Sequence, residues 1–113
     1  MNRSFIILNE FDRQWKNLKL NDDDLRQLQL ELLRDPKAGD VIQGTNGIRK
    51  LRFALDAGKS GGARVIYVDY TLIETIVLLT AYGKNEKDNL SKSERNNLKK
   101  LNNILYERLK KGE

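Results

Sequence analysis

The chain has 113 residues, 39% hydrophobic and 33% charged, the composition of one soluble globular domain over residues 1–113 rather than of a disordered segment. It has no cysteine and no histidine, which excludes disulfides, thiolate metal sites and imidazole acid–base chemistry and leaves Lys, Arg, Tyr, Ser/Thr and carboxylates for any catalysis. The net charge of +5 is too small to imply nucleic acid, but it is unevenly placed. In residues 47–64, Arg49, Lys50, Arg52, Lys59 and Arg64 stand against Asp56 alone, and phosphate binding needs cations concentrated in this way.

In chain order, Ser4 to Leu8 reads as a short strand. Asn9 is placed to cap a first helix whose Phe11, Trp15 and Leu18 recur at offsets of four and three. Asn21 before Asp22, Asp23 and Asp24 is a second helix start, with a capping side chain and negative charge at the positive end of the helix dipole. Consecutive residues on one turn point different ways, so this acidic run is read as a helix start rather than a metal site. Leu25, Leu28, Leu32 and Leu33 form the apolar face, and Asp35-Pro36 ends the helix. Residues 37–47 read as a loop.

Three β segments follow. Residues 48–55 alternate, with Ile48, Lys50, Arg52 and Ala54 on one face and Arg49, Leu51, Phe53 and Leu55 on the other. Residues 56–62 are a glycine-rich turn. Residues 63–70 and 75–82 are apolar on both faces, as central strands are. Ser91-Lys92-Ser93-Glu94 is a capping box opening a last helix with Leu98, Leu101, Leu105 and Leu109 in one stripe. The expected fold is α+β, a small antiparallel sheet packed against N-terminal helices and a C-terminal helix. The apolar runs are too short to span a membrane and no signal peptide is evident, so a cytoplasmic protein is expected.

Lys50 and Arg52 share a strand face, and a hairpin from 48–55 to 63–70 would bring Arg64 beside them. Like charges across a sheet repel, and a fold that keeps them close usually has an anion to bind; splaying into water is the alternative. Gly58-Lys59-Ser60 is not a nucleotide triphosphate loop, because Phe53 stands where that motif needs glycine and a strand, not a helix, follows. Lys59 is instead free to touch a phosphate backbone. Tyr82 and Lys84, in Tyr82-Gly83-Lys84-Asn85-Glu86, can exchange protons or stabilise charge on phosphorus, or can simply form a β-to-helix turn. Phe11, Trp15, Tyr67 and Tyr70 read as core.

The order of these motifs is more specific than any one of them. The run from Asp35-Pro36-Lys37-Ala38-Gly39-Asp40 to Gly47-Ile48-Arg49-Lys50 resembles the segment that introduces the first catalytic strand of HigB-type toxins in the RelE superfamily. Gly58-Lys59-Ser60-Gly61-Gly62-Ala63-Arg64-Val65-Ile66-Tyr67 is similar to the turn and arginine-bearing strand that follow. Tyr82 to Glu86, with Leu90-Ser91, is similar to the closing motif. The resemblance covers residues 35–95. It implies cleavage of translated messenger RNA on the ribosome, without metal or small-molecule cofactor, and a cognate antitoxin partner; no membrane partner is expected. It places Lys50, Arg52, Arg64, Tyr82 and Lys84 in the catalytic set, with Arg49, Lys59, Lys99 and Lys100 as RNA contacts.

Two positions depart from the pattern. Asn46 stands where glycine is usual, although asparagine tolerates a left-handed backbone. Tyr106 is not matched to the terminal tyrosine or histidine that some relatives use as acid or base. Two further readings stay open: a same-fold toxin that inhibits DNA gyrase, against which the cation set argues, and a non-catalytic RNA-binding module.

Overall fold

In the computed structural model the described residues are 2–54, 62–83 and 89–112. Strand β1 (Ser4–Ile7) leads into helices α1 (Asn9–Asn17) and α2 (Asp22–Arg34). Strands β2 (Asp40–Val41), β3 (Arg49–Phe53), β4 (Ala63–Tyr70) and β5 (Thr75–Gly83) follow, and helix α3 (Lys92–Lys110) closes the fold. The α+β architecture expected from the sequence is the one observed. The sheet order is β1-β5-β4-β3-β2, so both segments that are apolar on both faces lie inside the sheet, with β3 beside them. All pairs are antiparallel except β1 with β5. That parallel edge arises because α1 and α2 lie between β1 and the rest of the sheet.

The leucine and aromatic patterns sort onto the two faces of the sheet. On one face Phe11, Trp15, Leu28 and Leu32 pack with Leu51, Phe53, Val65, Tyr67 and Leu78. Phe11 and Trp15 stack with centroids 5.2 Å apart, and Trp15 lies against Phe53 at 5.8 Å. On the other face, Ile48, Ile66, Val68, Tyr70, Val77 and Leu79 take the Leu98, Leu101, Leu105 and Leu109 stripe of α3. Both predicted acidic helix starts are capping boxes: Asn21 with Asp24, and Ser91 with Glu94.

Two local expectations are corrected. Asn9 is not a cap but the first helical residue. Leu8 occupies the cap position and, being apolar, makes no side-chain bond; its N–H is held by the Leu78 carbonyl at 3.1 Å, so the strand ladder runs directly into the helix. The loop predicted over 37–47 contains β2, whose two residues carry too little alternation to be read. The glycine-rich turn lies outside the described residues except for Gly62, as do Lys59 and Lys84.

The N-terminal strand is pinned by an ion pair. Arg3 Nε donates to Asp69 Oδ1 at 2.8 Å and Nη2 to Oδ2 at 3.3 Å, and the pair raises the arginine pKa further through that hydrogen bond. The two side chains are only 8% and 3% exposed but sit at the rim of the sheet, so their worth lies between the exposed and interior cases, about 1–2 kcal/mol. Arg3→Ala is expected to lower the melting temperature by a few degrees and to speed amide exchange in β1 before the rest of the sheet. Unaltered exchange in β1 would mean that the ladder to β5 suffices.

Candidate active site

The β3–β4 register sets Arg52 opposite Arg64, and the β4–β5 register sets Arg64 opposite Tyr82. Three inner and near-edge strands therefore present Arg52, Arg64 and Tyr82 as one cross-sheet row, with neighbouring Cα atoms about 5 Å apart. Lys50 follows two positions along β3 on the same face, opposite Ile66 and, through it, Thr80. This is also the face that α3 partly covers. The cations predicted to share a face are thus brought together.

Two backbone features set this row. Gly62 has φ +61°, and a Cβ there would lie 2.4 Å from the Phe53 carbonyl. Only glycine lets β4 begin so close against the end of β3, and that contact fixes the register opposing Arg64 to Arg52. Between Ile66 and Tyr67 the register to β5 shifts, so that Ile66 pairs with Thr80 and Tyr67 with Leu78. Leu79 is the extra residue of this bulge, which adds local twist beside the row.

The row places like charges directly opposite each other, which costs stability. Arg64 adds a second cost: its Nη1 is buried with no hydrogen-bond partner among the described residues. A buried cationic donor left unpaired opposes folding. An oxyanion entering the row would supply the acceptor that the protein withholds, in the bidentate geometry a guanidinium offers.

Arg49 is not brought to this face. It lies with Tyr67 on the side of α1 and α2, and its Nη1 donates to the Gly39 carbonyl at 2.7 Å and the Lys37 carbonyl at 3.3 Å. The same segment is fastened by Tyr67, whose hydroxyl donates to the Pro36 carbonyl at 2.8 Å and accepts from the Gly39 N–H at 2.9 Å. Burial, partly offset by that backbone bond, raises the Tyr67 pKa. Gly39 is required here because a Cβ would sit 2.9 Å from the Lys50 carbonyl. Arg49 and Tyr67 thus hold residues 36–39 against β3, behind Lys50. Lys99 and Lys100 are exposed on α3.

Tyr106 belongs to the opposite end of the sheet. Its ring packs on Tyr70 with centroids 5.1 Å apart, and Tyr70 is six strand residues from Arg64, about 20 Å. It cannot serve as acid or base at the row from there. Tyr70 itself is buried and bonded to Asn102, and burial, with a smaller contribution from Tyr106, pushes its pKa up to about 12. In the unfolded chain it ionises near 10. Its contribution to stability is therefore complete below pH 10 and is lost between pH 10 and 12, where the unfolded tyrosine releases a proton that the folded one keeps. Urea midpoints are expected to fall across that window, and less steeply in Tyr70→Phe. Parallel slopes in the two proteins would show that Tyr70 ionises normally.

Sequence reasoning passed over Asn102, although it sits between Leu98 and Leu105 on the apolar stripe, the usual mark of a buried polar contact. Asn46, by contrast, takes the left-handed backbone foreseen for it, with φ 63°. Among the described residues no helix is long and apolar enough to cross a membrane, and no cluster of three or more acidic side chains could hold a metal ion.

Comparison with known proteins agrees with this architecture. The family model described as the RelE toxin of the RelE/RelB toxin–antitoxin system matches residues 6–112. A solved structure of the E. coli toxin RelE, a double arginine-to-alanine variant in the free state, is similar with a TM-score of 0.50 and 21% sequence identity, covering 76% of this chain and 86% of that one. That likeness is one of fold. With the family model matched over nearly the whole sequence, the chain belongs to the RelE toxin family of the RelE/RelB toxin–antitoxin system.

Proposed function

We propose that this RelE-family toxin is of the HigB type and acts in the cytoplasm as a ribosome-dependent messenger RNA endoribonuclease, held in check by a cognate antitoxin. The observation that carries the reading is the Arg52–Arg64–Tyr82 row with the buried, unpartnered Nη1 of Arg64. In a metal-free cut the ribose 2′-hydroxyl attacks the adjacent phosphorus and the 5′-oxygen leaves, giving a 2′,3′-cyclic phosphate. The protein must hold the phosphate in line and neutralise the charge that develops on its oxygens. Arg64 and Arg52 suit that task, and Lys50 and Tyr82 stand at hand for proton transfer, with Lys84 in the same motif. Primer extension on messenger RNA with translating ribosomes tests the reading. Cuts that need ribosomes and leave a cyclic phosphate end support it; intact RNA with blocked gyrase, or RNA binding without cleavage, overturns it.

Lys99→Ala and Lys100→Ala are expected to weaken ribosome affinity in a salt-dependent way and to spare single-turnover cleavage, since exposed helix cations contribute screened, uniform attraction. Lys50→Ala should do the reverse. If Lys50→Ala loses affinity alone, that lysine is a docking group.

A further inference from the structure

Lys50 borders a second feature. The β2–β3 hairpin and the first turn of α3 enclose a cleft whose lining includes Lys50, Arg95, Gln43, Asn89, Asp40 and the apolar residues Ile42 and Leu90. It opens on the same side of the sheet as the cation row, and Lys50 lies two strand positions, about 7 Å, from Arg52. Arg95 is anchored there by a bond from Nη1 to the Leu90 carbonyl at 2.9 Å. That bond uses one of the five guanidinium donors and fixes its plane. Ile42 and Leu90 pack partly buried against the apolar cluster of this face and form the apolar wall of the cleft.

The donor set argues for a particular ligand. A second phosphate would suit Lys50 and Arg95, but not Asp40 or an apolar wall. A nucleobase has flat faces that stack on apolar surface and guanidinium, and an edge of mixed donors and acceptors that carboxamides and a carboxylate can match. We propose that this cleft binds the base of the nucleotide next to the phosphate held by Arg64. Arg95 stacks on its face, and Gln43 and Asn89, with Asp40, read its edge. The inference rests on the RNA-cleavage reading for the identity of the neighbouring phosphate, and it makes Gln43 and Asn89 specificity-determining residues.

The test has two arms. In the first, nucleoside 3′-monophosphates, ribose 5-phosphate and inorganic phosphate are titrated into the 15N-labelled protein, and the side-chain amide resonances of Gln43 and Asn89 are followed. They are expected to move with the nucleotides and not with the two base-free compounds. Equal movement with ribose 5-phosphate, or none with any nucleotide, overturns the proposal. In the second, ribosomes carrying each of the four bases at each position of the decoded codon are cut in single turnover. The wild-type rates are expected to spread roughly 5- to 100-fold at one position, the range one bidentate base contact supplies. That spread should collapse in the Gln43→Ala, Asn89→Ala double variant. A spread that survives the double substitution also overturns the proposal. Base-dependent shifts with no cleavage of any RNA would support the nucleobase cleft while removing the nuclease reading.

Discussion

Arg64→Leu is expected to abolish most cleavage while making the protein slightly more stable. The loss follows from the phosphate: one preorganised donor to a developing oxyanion contributes about 2.7–4 kcal/mol, a hundred- to thousand-fold in rate. The gain follows from the apo state. Arg64 faces Arg52 across the β3–β4 pair, and its Nη1 is buried without an acceptor among the described residues. A leucine of comparable volume removes both the repulsion and the unpaired donor, and such replacements are often neutral or stabilising. A rise in melting temperature of roughly 5 °C corresponds to about 1 kcal/mol in a domain of this size. Arg64→Lys separates charge from geometry, since a lysine keeps the cation but not the bidentate fork, and only part of the rate should return. Single-turnover cleavage on ribosomes and thermal melts of the same preparations decide the matter. A variant that melts lower and cuts slower would make Arg64 a structural residue; one that melts higher and cuts at the wild-type rate would remove it from the site.

That opposition between stability and function explains what could be seen in the sequence alone. The α3 stripe and the strands β4 and β5 are periodic or continuous apolar signals that reappear where expected because burial enforces them, and the capping boxes reappear because their bonds are local. The shared face of Lys50 and Arg52 follows from the two-residue repeat of a strand. What periodicity cannot give is register. Nothing in the spacing says that Arg64 meets Arg52 rather than Lys50. That is settled by the close approach of Gly62 to the Phe53 carbonyl, a three-dimensional contact. Arg49 shows the same limit. Strand alternation already turned it to the face opposite Lys50 and Arg52, but no spacing gave its partner there: its guanidinium binds the backbone of residues 37 and 39. Arg95, Gln43 and Asn89 gave no signal, because they meet only when α3 docks beside the β2–β3 hairpin.

The docking of α3 therefore bears on the whole face, and Asn102 is where it is most exposed to damage. Its Nδ2 donates to the Thr45 carbonyl at 2.9 Å and the Asn46 carbonyl at 3.1 Å, and its Oδ1 accepts from the Tyr70 hydroxyl at 2.7 Å. Thr45 is fully buried, and its hydroxyl in turn donates to the Ile42 carbonyl and accepts from the Ile48 N–H. One asparagine thus joins α3, the end of β4 and the loop that delivers the chain to β3 and Lys50. Asn102→Ala leaves the Thr45 and Asn46 carbonyls without their partner and the Tyr70 hydroxyl with only its longer bond to the backbone carbonyl of residue 102, at 3.2 Å. At roughly 1–3 kcal/mol for each buried group left unsatisfied, the expected loss is about 3 kcal/mol, a fall in melting temperature of more than roughly 10 °C. Tyr70→Phe removes one arm of the network and should cost less. Because the two residues share a bond, the double variant should lose less than the two single losses combined, with a coupling of about 1 kcal/mol. Additive losses would mean that Asn102 acts on the loop alone. A melting temperature within a degree or two of wild type would mean that the leucine stripe docks α3 by itself, and that the loop before β3 holds its shape through Thr45 without the helix.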